Sequence, residues 1–264
     1  MILADRAADA DLAAQGFTTI PLLGHAAVEE LRQAWSATVR VGRPAFDAGL
    51  VGVASESKRM AHDLIVSALG AAVRAAVPGH RPLVGSFAVK RPDPDSAMPV
   101  HQDWCVVDEG RWSSISIWCA LDDVGLDQGP LCFWPGSHQL TVARGSGLPD
   151  SCARVAALDD GFVAVPLSAG EAAVYFHATV HRSPANRGTE PRVGAMLGLV
   201  PDEAEPVHLH LAADGALELR RAGTGFYLEY PFGAAPLPAS ASLIERRVWD
   251  GRSIEVADLR ALTR

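Results

Sequence analysis

The spacing of apolar residues changes near His80, and this change constrains the fold more than any other feature. In residues 24–39 apolar positions recur at intervals of three and four, which predicts a helix, and residues 57–77 read as a second one. From residue 81 onward, apolar and polar residues alternate in short segments between glycine and proline turns. The pattern predicts an antiparallel sandwich or a jelly-roll barrel behind a helical preface.

The chain is predicted to form one domain. Residues 207–219 read as a hairpin that turns at Asp214 and Gly215, and a charged helix follows. We find no internal repeat and no low-complexity linker in the 264 residues. The predicted domain, 1–264, has a helical preface (1–80), a jelly-roll core (81–202) and a C-terminal hairpin and extension (203–264).

Composition argues against several kinds of partner. The net charge is −8, with 31 acidic against 23 basic residues and no run of lysine or arginine, so no nucleic-acid partner is expected. No segment reaches the roughly 18 apolar residues of a membrane span, and the N-terminus lacks a signal-peptide core. The four cysteines form no CxxC pair, which predicts reduced thiols in a cytoplasmic protein. Composition does not predict the oligomeric state.

The stretch "PVHQDW" holds a candidate metal-binding pair, His101 and Asp103. Residues two apart on a strand face the same side, so both side chains can point into one barrel. An imidazole and a carboxylate supply two ligands of a 2-His-1-carboxylate triad, which holds Fe(II) and leaves coordination positions open. A third ligand must come from elsewhere in the chain.

Two histidines compete for the third position in "YFHATVHRS", His177 and His181. The segment "HATV" is expected to turn the chain, so geometry alone does not choose between them. Arg192 favours His181, because a buried guanidinium needs a partner and a carboxylate ligand binds it bidentately. Ser183, two residues past His181, could donate a hydrogen bond to the same carboxylate. Gly194 and Gly198 share the face of Arg192 and are expected to leave space in the interior.

Three motifs, "HQDW", "DQGPLCFWPGSH" and "HRSPAN...EPR", resemble the iron- and 2-oxoglutarate-dependent oxygenases of the phytanoyl-CoA dioxygenase family. The resemblance is close over residues 81–202 and looser over the preface. It implies a mainly β fold with flanking helices, built on a double-stranded β-helix, or cupin-like jelly roll. It also implies Fe(II) as cofactor, with 2-oxoglutarate and O2 as cosubstrates.

The same resemblance assigns roles to individual residues. It implies that the catalytic iron is bound by His101, Asp103 and His181. It also implies that Ser183 and Arg192 hold 2-oxoglutarate.

Four further side chains are candidates for the pocket. Trp118 lies on a strand face where family members place a residue near the cosubstrate, and Lys90 lies on a strand that could reach the same pocket. Trp104 is either a core aromatic residue or a wall of the substrate site. Met196 shares the face of Arg192 and is a substrate-contact candidate, although packing is its default role.

The predicted function is oxidation of a small molecule. We expect hydroxylation of an unactivated C–H bond, favour a natural-product intermediate as substrate, and expect succinate and CO2 as coproducts. The alternatives are a zinc-dependent hydrolase, which has no need of Arg192, and a silent cupin-like binding protein, against which the presence of all three ligands argues. The covering segments are expected to be the preface, Asp108–Trp112 and residues 143–154 and 225–233.

Overall fold

The computed structural model describes residues 1–38, 44–223, 225–230 and 237–262. Its helices are α1 (Arg6–Gln15), α2 (His25–Thr38), α3 (Ser55–Ala76), α4 (Phe226–Glu229) and α5 (Val256–Ala261). Its strands are β1 (Phe17–Pro21), β2 (Phe46–Asp47), β3 (His80–Lys90), β4 (Met98–His101), β5 (Ile115–Ala120), β6 (Leu131–Phe133), β7 (Val163–Val165), β8 (Glu171–Phe176), β9 (His181–Ser183), β10 (Arg192–Pro201), β11 (Val207–Leu211), β12 (Ala216–Arg221) and β13 (Leu243–Val248).

Two antiparallel sheets face each other and form the core. The larger has six strands in the order β1-β8-β5-β10-β3-β2, and the smaller has four in the order β4-β9-β6-β7. Side chains of both sheets meet between them, among them Trp118 of β5, Phe133 of β6 and Tyr175 of β8. This architecture confirms the predicted class, a mainly β double-stranded β-helix with flanking helices.

Alternation along β5 separates two environments. Ile115, Ile117 and Cys119 are fully buried and pack with side chains of α1, α2 and α3. Trp118 and Ala120 point the other way, into the space between the sheets. Burying one large apolar side chain contributes about 1.5–3 kcal/mol, so this outer layer stabilises the sheet that carries the site.

The preface contributes strands as well as helices. The strand β1 pairs with β8, and β2 pairs with β3, so the preface supplies both edges of the larger sheet. The sequence analysis missed β1. The helix α1 ends at Gly16, whose φ of 85° is left-handed, and the β-branched residues Thr18, Thr19 and Ile20 follow, which suit a strand. Residue 39, the last of the predicted helix 24–39, lies outside the described residues.

The C-terminal hairpin is present as predicted, and β13 adds a third strand that was not expected. The hairpin binds the loop that follows residue 143, because Ser146 N–H donates to the Leu209 carbonyl and Leu211 N–H donates to the Ser146 carbonyl. The four cysteines are free and buried. In the described part of the chain, no helix combines the length and apolarity needed to cross a membrane.

Candidate metal centre and its pocket

Three ligand-type side chains converge at one end of the smaller sheet. His101 ends β4 and lies directly opposite His181, the first residue of β9. The Oδ1 atom of Asp103 lies 3.9 Å from Nε2 of His101 and 4.0 Å from Nε2 of His181. All three ligand atoms lie within 4.8 Å of one another, which is too far for mutual hydrogen bonds but close enough for one metal ion to bridge them.

Both imidazoles are held with the same nitrogen facing the centre. Nδ1 of His101 lies 2.8 Å from the Pro99 carbonyl, and Nδ1 of His181 lies 2.9 Å from the Thr179 carbonyl. A carbonyl only accepts, so Nδ1 donates to it in each ring, and Nε2 is the nitrogen that faces the centre. Burial lowers the pKa of His181 to about 4, so its ring is neutral at pH 7. Both rings are therefore prepared to bind a cation.

Asp103 is not positioned by strand alternation, because β4 ends at His101. Two contacts hold it instead: Nε of Arg144 donates to its main-chain carbonyl at 2.7 Å, and the Ser116 hydroxyl donates to Oδ2 at 3.2 Å. Burial acts to raise the pKa of Asp103, but His181, the other nearby imidazoles and Ser116 lower it below its usual value. Oδ2 is occupied by Ser116, and Oδ1 faces the histidines.

Replacing Ser116 by alanine is expected to weaken metal binding about tenfold. Hydrogen bonds from outside the ligand set orient ligands, and losing one typically costs 10- to 100-fold in metal affinity. The measurement is a titration of the metal-free protein with Co(II), followed by visible absorbance. Ser114→Ala is the matched control, because Ser114 is equally buried and its hydroxyl has no partner among the described residues. Equal affinity in wild type and Ser116→Ala would contradict the role of Ser116.

The competing histidine, His177, stays outside the ligand cluster. It begins the turn between β8 and β9, as expected for "HATV", and its Nδ1 lies 3.3 Å from the Trp104 carbonyl. Burial lowers the pKa of His177, so this ring is also neutral.

Arg192 is a buried cation beside this centre. It is 2% exposed, Nη1 donates to the Gly129 carbonyl at 2.5 Å, and its guanidinium lies 4.7 Å from the Trp118 ring. Nε has no hydrogen-bond partner, and no carboxylate of the described residues forms an ion pair with Arg192. Burial lowers the pKa of Arg192 to about 9, which leaves the group charged at pH 7. A buried charge in this state fits a carboxylate supplied by a ligand.

The space expected beside Gly194 is filled by Trp118. A Cβ atom at residue 194 would lie 2.1 Å from Cζ2 of that indole, so the ring packs directly against the glycine. The expectation of open space at Gly194 was therefore wrong, because a neighbouring strand supplies a side chain that covers it. Gly198 is less crowded, and its nearest neighbour would be Cγ1 of Val84 at 3.5 Å.

Lys90 does not line the pocket, in contrast to its predicted position. Its ammonium donates to the carbonyls of Ser96, Ser183 and Pro184 at 2.7–2.8 Å, which uses all three of its protons. Burial, and secondarily the charge of Arg192, lower the pKa of Lys90 to about 7, whereas the three carbonyls favour the charged form. The side chain fixes the end of β9, where Ser183 lies.

A cavity of about 760 Å³ opens onto the three ligands. Ser183, Arg192, Trp118, Trp104 and Met196 all line it. Of the expected covering segments, the preface contributes residues 46–51 in part, the loop contributes 144–151 and the C-terminal stretch contributes Tyr227. Asp108–Trp112 is not among the lining residues, and residues 231–233 lie outside the described part of the chain.

Two groups of this site were not predicted from the sequence. Ser116 lies on the same strand face as Trp118, so alternation alone could have indicated it. Arg144 gave no such signal, because the contact depends on a loop whose path no local pattern predicts. Its guanidinium also pairs with Glu109.

A comparison with known protein families identifies the family of this chain. A family model described as phytanoyl-CoA dioxygenase (PhyH) matches residues 25–194, which is more than half of the chain. No curated protein matches the chain significantly.

Solved structures share the fold. EvdO2 from Micromonospora carbonacea var. aurantiaca is 26% identical, with a TM-score of 0.59 over 77% of this chain and 92% of that one. Its complex with 2-oxoglutarate aligns over the same shares, at 25% identity and a TM-score of 0.57.

Two more distant structures share the fold alone. HygX from Streptomyces hygroscopicus, with nickel, 2-oxoglutarate and hygromycin B bound, is 19% identical, with a TM-score of 0.56 over 75% of this chain and 88% of that one. The epimerase SnoN in complex with Fe3+, alpha ketoglutarate and nogalamycin RO is 20% identical, with a TM-score of 0.59 over 90% and 94%. The chain belongs to the phytanoyl-CoA dioxygenase family and is a 2-oxoglutarate-dependent oxygenase.

Proposed function

We propose that His101, Asp103 and His181 bind the iron, that Arg192 and Ser183 hold the far carboxylate of 2-oxoglutarate, and that the enzyme hydroxylates an unactivated C–H bond of a small molecule. Succinate and CO2 are the coproducts. The observation that carries this proposal is the buried Arg192 cation, which lacks a carboxylate partner in the described structure and faces the same cavity as the three ligands. A zinc hydrolase has no use for such a cation.

Each residue of the proposed site has a separate role. Bound iron with 2-oxoglutarate supplies the oxidising power. The chain presents two imidazole nitrogens and one carboxylate to the metal, and the Ser116 hydroxyl fixes the orientation of that carboxylate. Arg192, stacked on Trp118, orients the cosubstrate from its far end. The cavity walls exclude water from the reacting carbon.

We propose a natural-product intermediate as the substrate. Among proteins of the same fold, HygX holds hygromycin B and SnoN holds nogalamycin RO, which supports this choice by analogy of fold. We also propose that residues 1–264 act as one domain, because the preface, the core and α4 line a single cavity. The buried free cysteines agree with a reducing compartment such as the cytoplasm.

An anaerobic titration tests the assignment of the ligands. Metal-free protein receives Fe(II) and then 2-oxoglutarate, and the expected result is a weak visible charge-transfer band that requires both additions. His181→Ala should abolish the band, whereas His177→Ala should retain it, because His177 lies outside the ligand cluster. Bound Fe(II) without a band in the wild type would overturn the proposed cosubstrate site.

A further inference from the structure

Beyond the iron and cosubstrate residues, the cavity wall is mainly apolar. Leu83 and Val84 of β3, Leu148 of the loop after residue 143, and Leu50 and Val51 of the preface face the space in front of the ligands. The whole cavity, which includes the proposed cosubstrate space, has a volume of about 760 Å³, within the roughly 300–1,000 Å³ of sites for small molecules. Binding by such a wall comes chiefly from burial of apolar surface on the ligand.

Most polar side chains of this wall already have partners inside the protein; one exception among the described residues is Nε2 of His177, which is buried without a hydrogen-bond partner. The amide of Gln102 donates to the Ala178 carbonyl and accepts a hydrogen bond from the Ser151 hydroxyl. The Ser146 hydroxyl lies 2.7 Å from Nε2 of His208 and 2.8 Å from Nδ1 of His210. A ligand rich in hydroxyl groups would therefore find few free hydrogen-bonding groups to replace the water that it loses.

The charged side chains of the wall also have partners within the protein. Besides Asp103 and Arg192, the charged residues among the described part of the lining are Arg144 and Asp150. Arg144 pairs with Glu109 and donates to the carbonyls of Asp103 and Val142, so its charge is neutralised. Asp150 is exposed and accepts a hydrogen bond from the main-chain N–H of Cys152. Apart from Arg192, the described lining residues offer no free cation to the phosphates of a CoA thioester or to a sulfate.

We infer that the substrate of this enzyme is an uncharged, mostly hydrocarbon molecule, and that it reaches the site neither as a CoA thioester nor as a phosphorylated or heavily glycosylated compound. The inference rests on the proposed function and narrows it to one substrate class. Apolar walls provide the affinity, and desolvation of an anion or of many hydroxyl groups opposes binding of the other classes.

Ligands that share a hydrocarbon skeleton and differ only in one polar group test the proposed substrate class. The panel takes naphthalene, anthracene and steroid skeletons, each as an alcohol, its methyl ether, its sulfate ester and its glucoside. Each is titrated under nitrogen into protein loaded with Fe(II) and 2-oxoglutarate, and binding is measured by calorimetry. The alcohol and the ether of at least one skeleton are expected to bind at least tenfold more tightly than its sulfate and glucoside. Their binding should show a negative heat-capacity change.

A variant that adds a positive charge tests whether the charge of the ligand, rather than its shape, sets the preference. Val51 is 67% exposed and lines the cavity, so Val51→Lys places an ammonium at its mouth without filling the core. We expect Val51→Lys to reduce the preference for alcohol over sulfate about fivefold or more. Val163→Lys is the control, because Val163 is also exposed but does not line the cavity, and it should leave the preference unchanged.

Two results would overturn the substrate class. One is sulfates or glucosides that bind as tightly as the matching neutral compounds in the wild type. The other is a complete lack of binding by neutral members while the iron and 2-oxoglutarate band is intact. Loss of that band, recorded on the same samples, would instead count against the proposed function, so the two failures are distinguishable.

Discussion

Replacement of Arg192 by methionine is expected to weaken 2-oxoglutarate binding by about two orders of magnitude or more, since losing one partner of a buried charge pair costs about 2–5 kcal/mol. The same variant should be at least as stable as the wild type without ligand. The reason is that Arg192 is 2% exposed, and none of the described carboxylates pairs with it, so its removal eliminates an uncompensated buried charge. Affinity and ligand-free stability should move in opposite directions.

The measurement is thermal unfolding of metal-loaded protein with and without 2-oxoglutarate. A ligand at 100 times its dissociation constant stabilises the native state by about 2.7 kcal/mol, and this gain should be nearly absent in Arg192→Met. Arg182→Met is the control: Arg182 lies on β9 beside Ser183, but its guanidinium binds Asp159 at the surface. If both variants kept the stabilisation by 2-oxoglutarate, Arg192 would not be its anchor.

The two glycines of β10 that follow Arg192 should respond differently to alanine. In Gly194→Ala the new Cβ would lie 2.1 Å from the Trp118 ring, so the indole must leave its place under the Arg192 guanidinium. Overpacking of this kind costs about 1–3 kcal/mol in the free energy of unfolding, and we expect 2-oxoglutarate affinity to fall with it. Gly198→Ala makes only ordinary contacts and should be neutral or stabilising by up to about 1 kcal/mol.

Chemical denaturation of the two variants, with 2-oxoglutarate titrations, measures both effects. The double variant Gly194→Ala, Trp118→Ala provides the rescue test, because the alanine has no ring to displace once Trp118 is absent. Its loss of stability should be smaller than the sum of the two single losses. Additive losses would show that the ring and the glycine do not interact.

Much of the fold was predictable because it follows from local pattern. The alternation of apolar and polar residues in β5 predicts that Ile117 and Trp118 lie on opposite faces of the sheet, and the structure has them there. The strand β1 was missed because its five residues follow a helix directly and take their partner, β8, from far along the chain. Pairing over such a distance leaves no trace in either segment.

At the site, the metal ligands were predictable from the sequence, but the hydrogen bonds that hold Asp103 in place were not. His101, Asp103 and His181 were predicted as the ligands, and the structure brings them together. Strand alternation was expected to place Asp103, but β4 ends before this residue. The contacts that hold this residue come from Ser116 and Arg144, on elements 13 and 41 positions away. For Lys90 the predicted position was wrong. This residue was expected to reach the pocket, whereas its ammonium donates hydrogen bonds to three main-chain carbonyls and does not line the cavity.

The hydrogen bond from Arg144 to the Asp103 carbonyl has a consequence for redesign of substrate range. The loop that carries Arg144 also faces the substrate space. Two residues after Arg144, Ser146 forms main-chain hydrogen bonds with the C-terminal hairpin. Transplanting this loop from a relative would therefore alter metal affinity together with selectivity. A chimera that keeps Arg144 and Glu109 and exchanges only residues 147–151 separates the two properties.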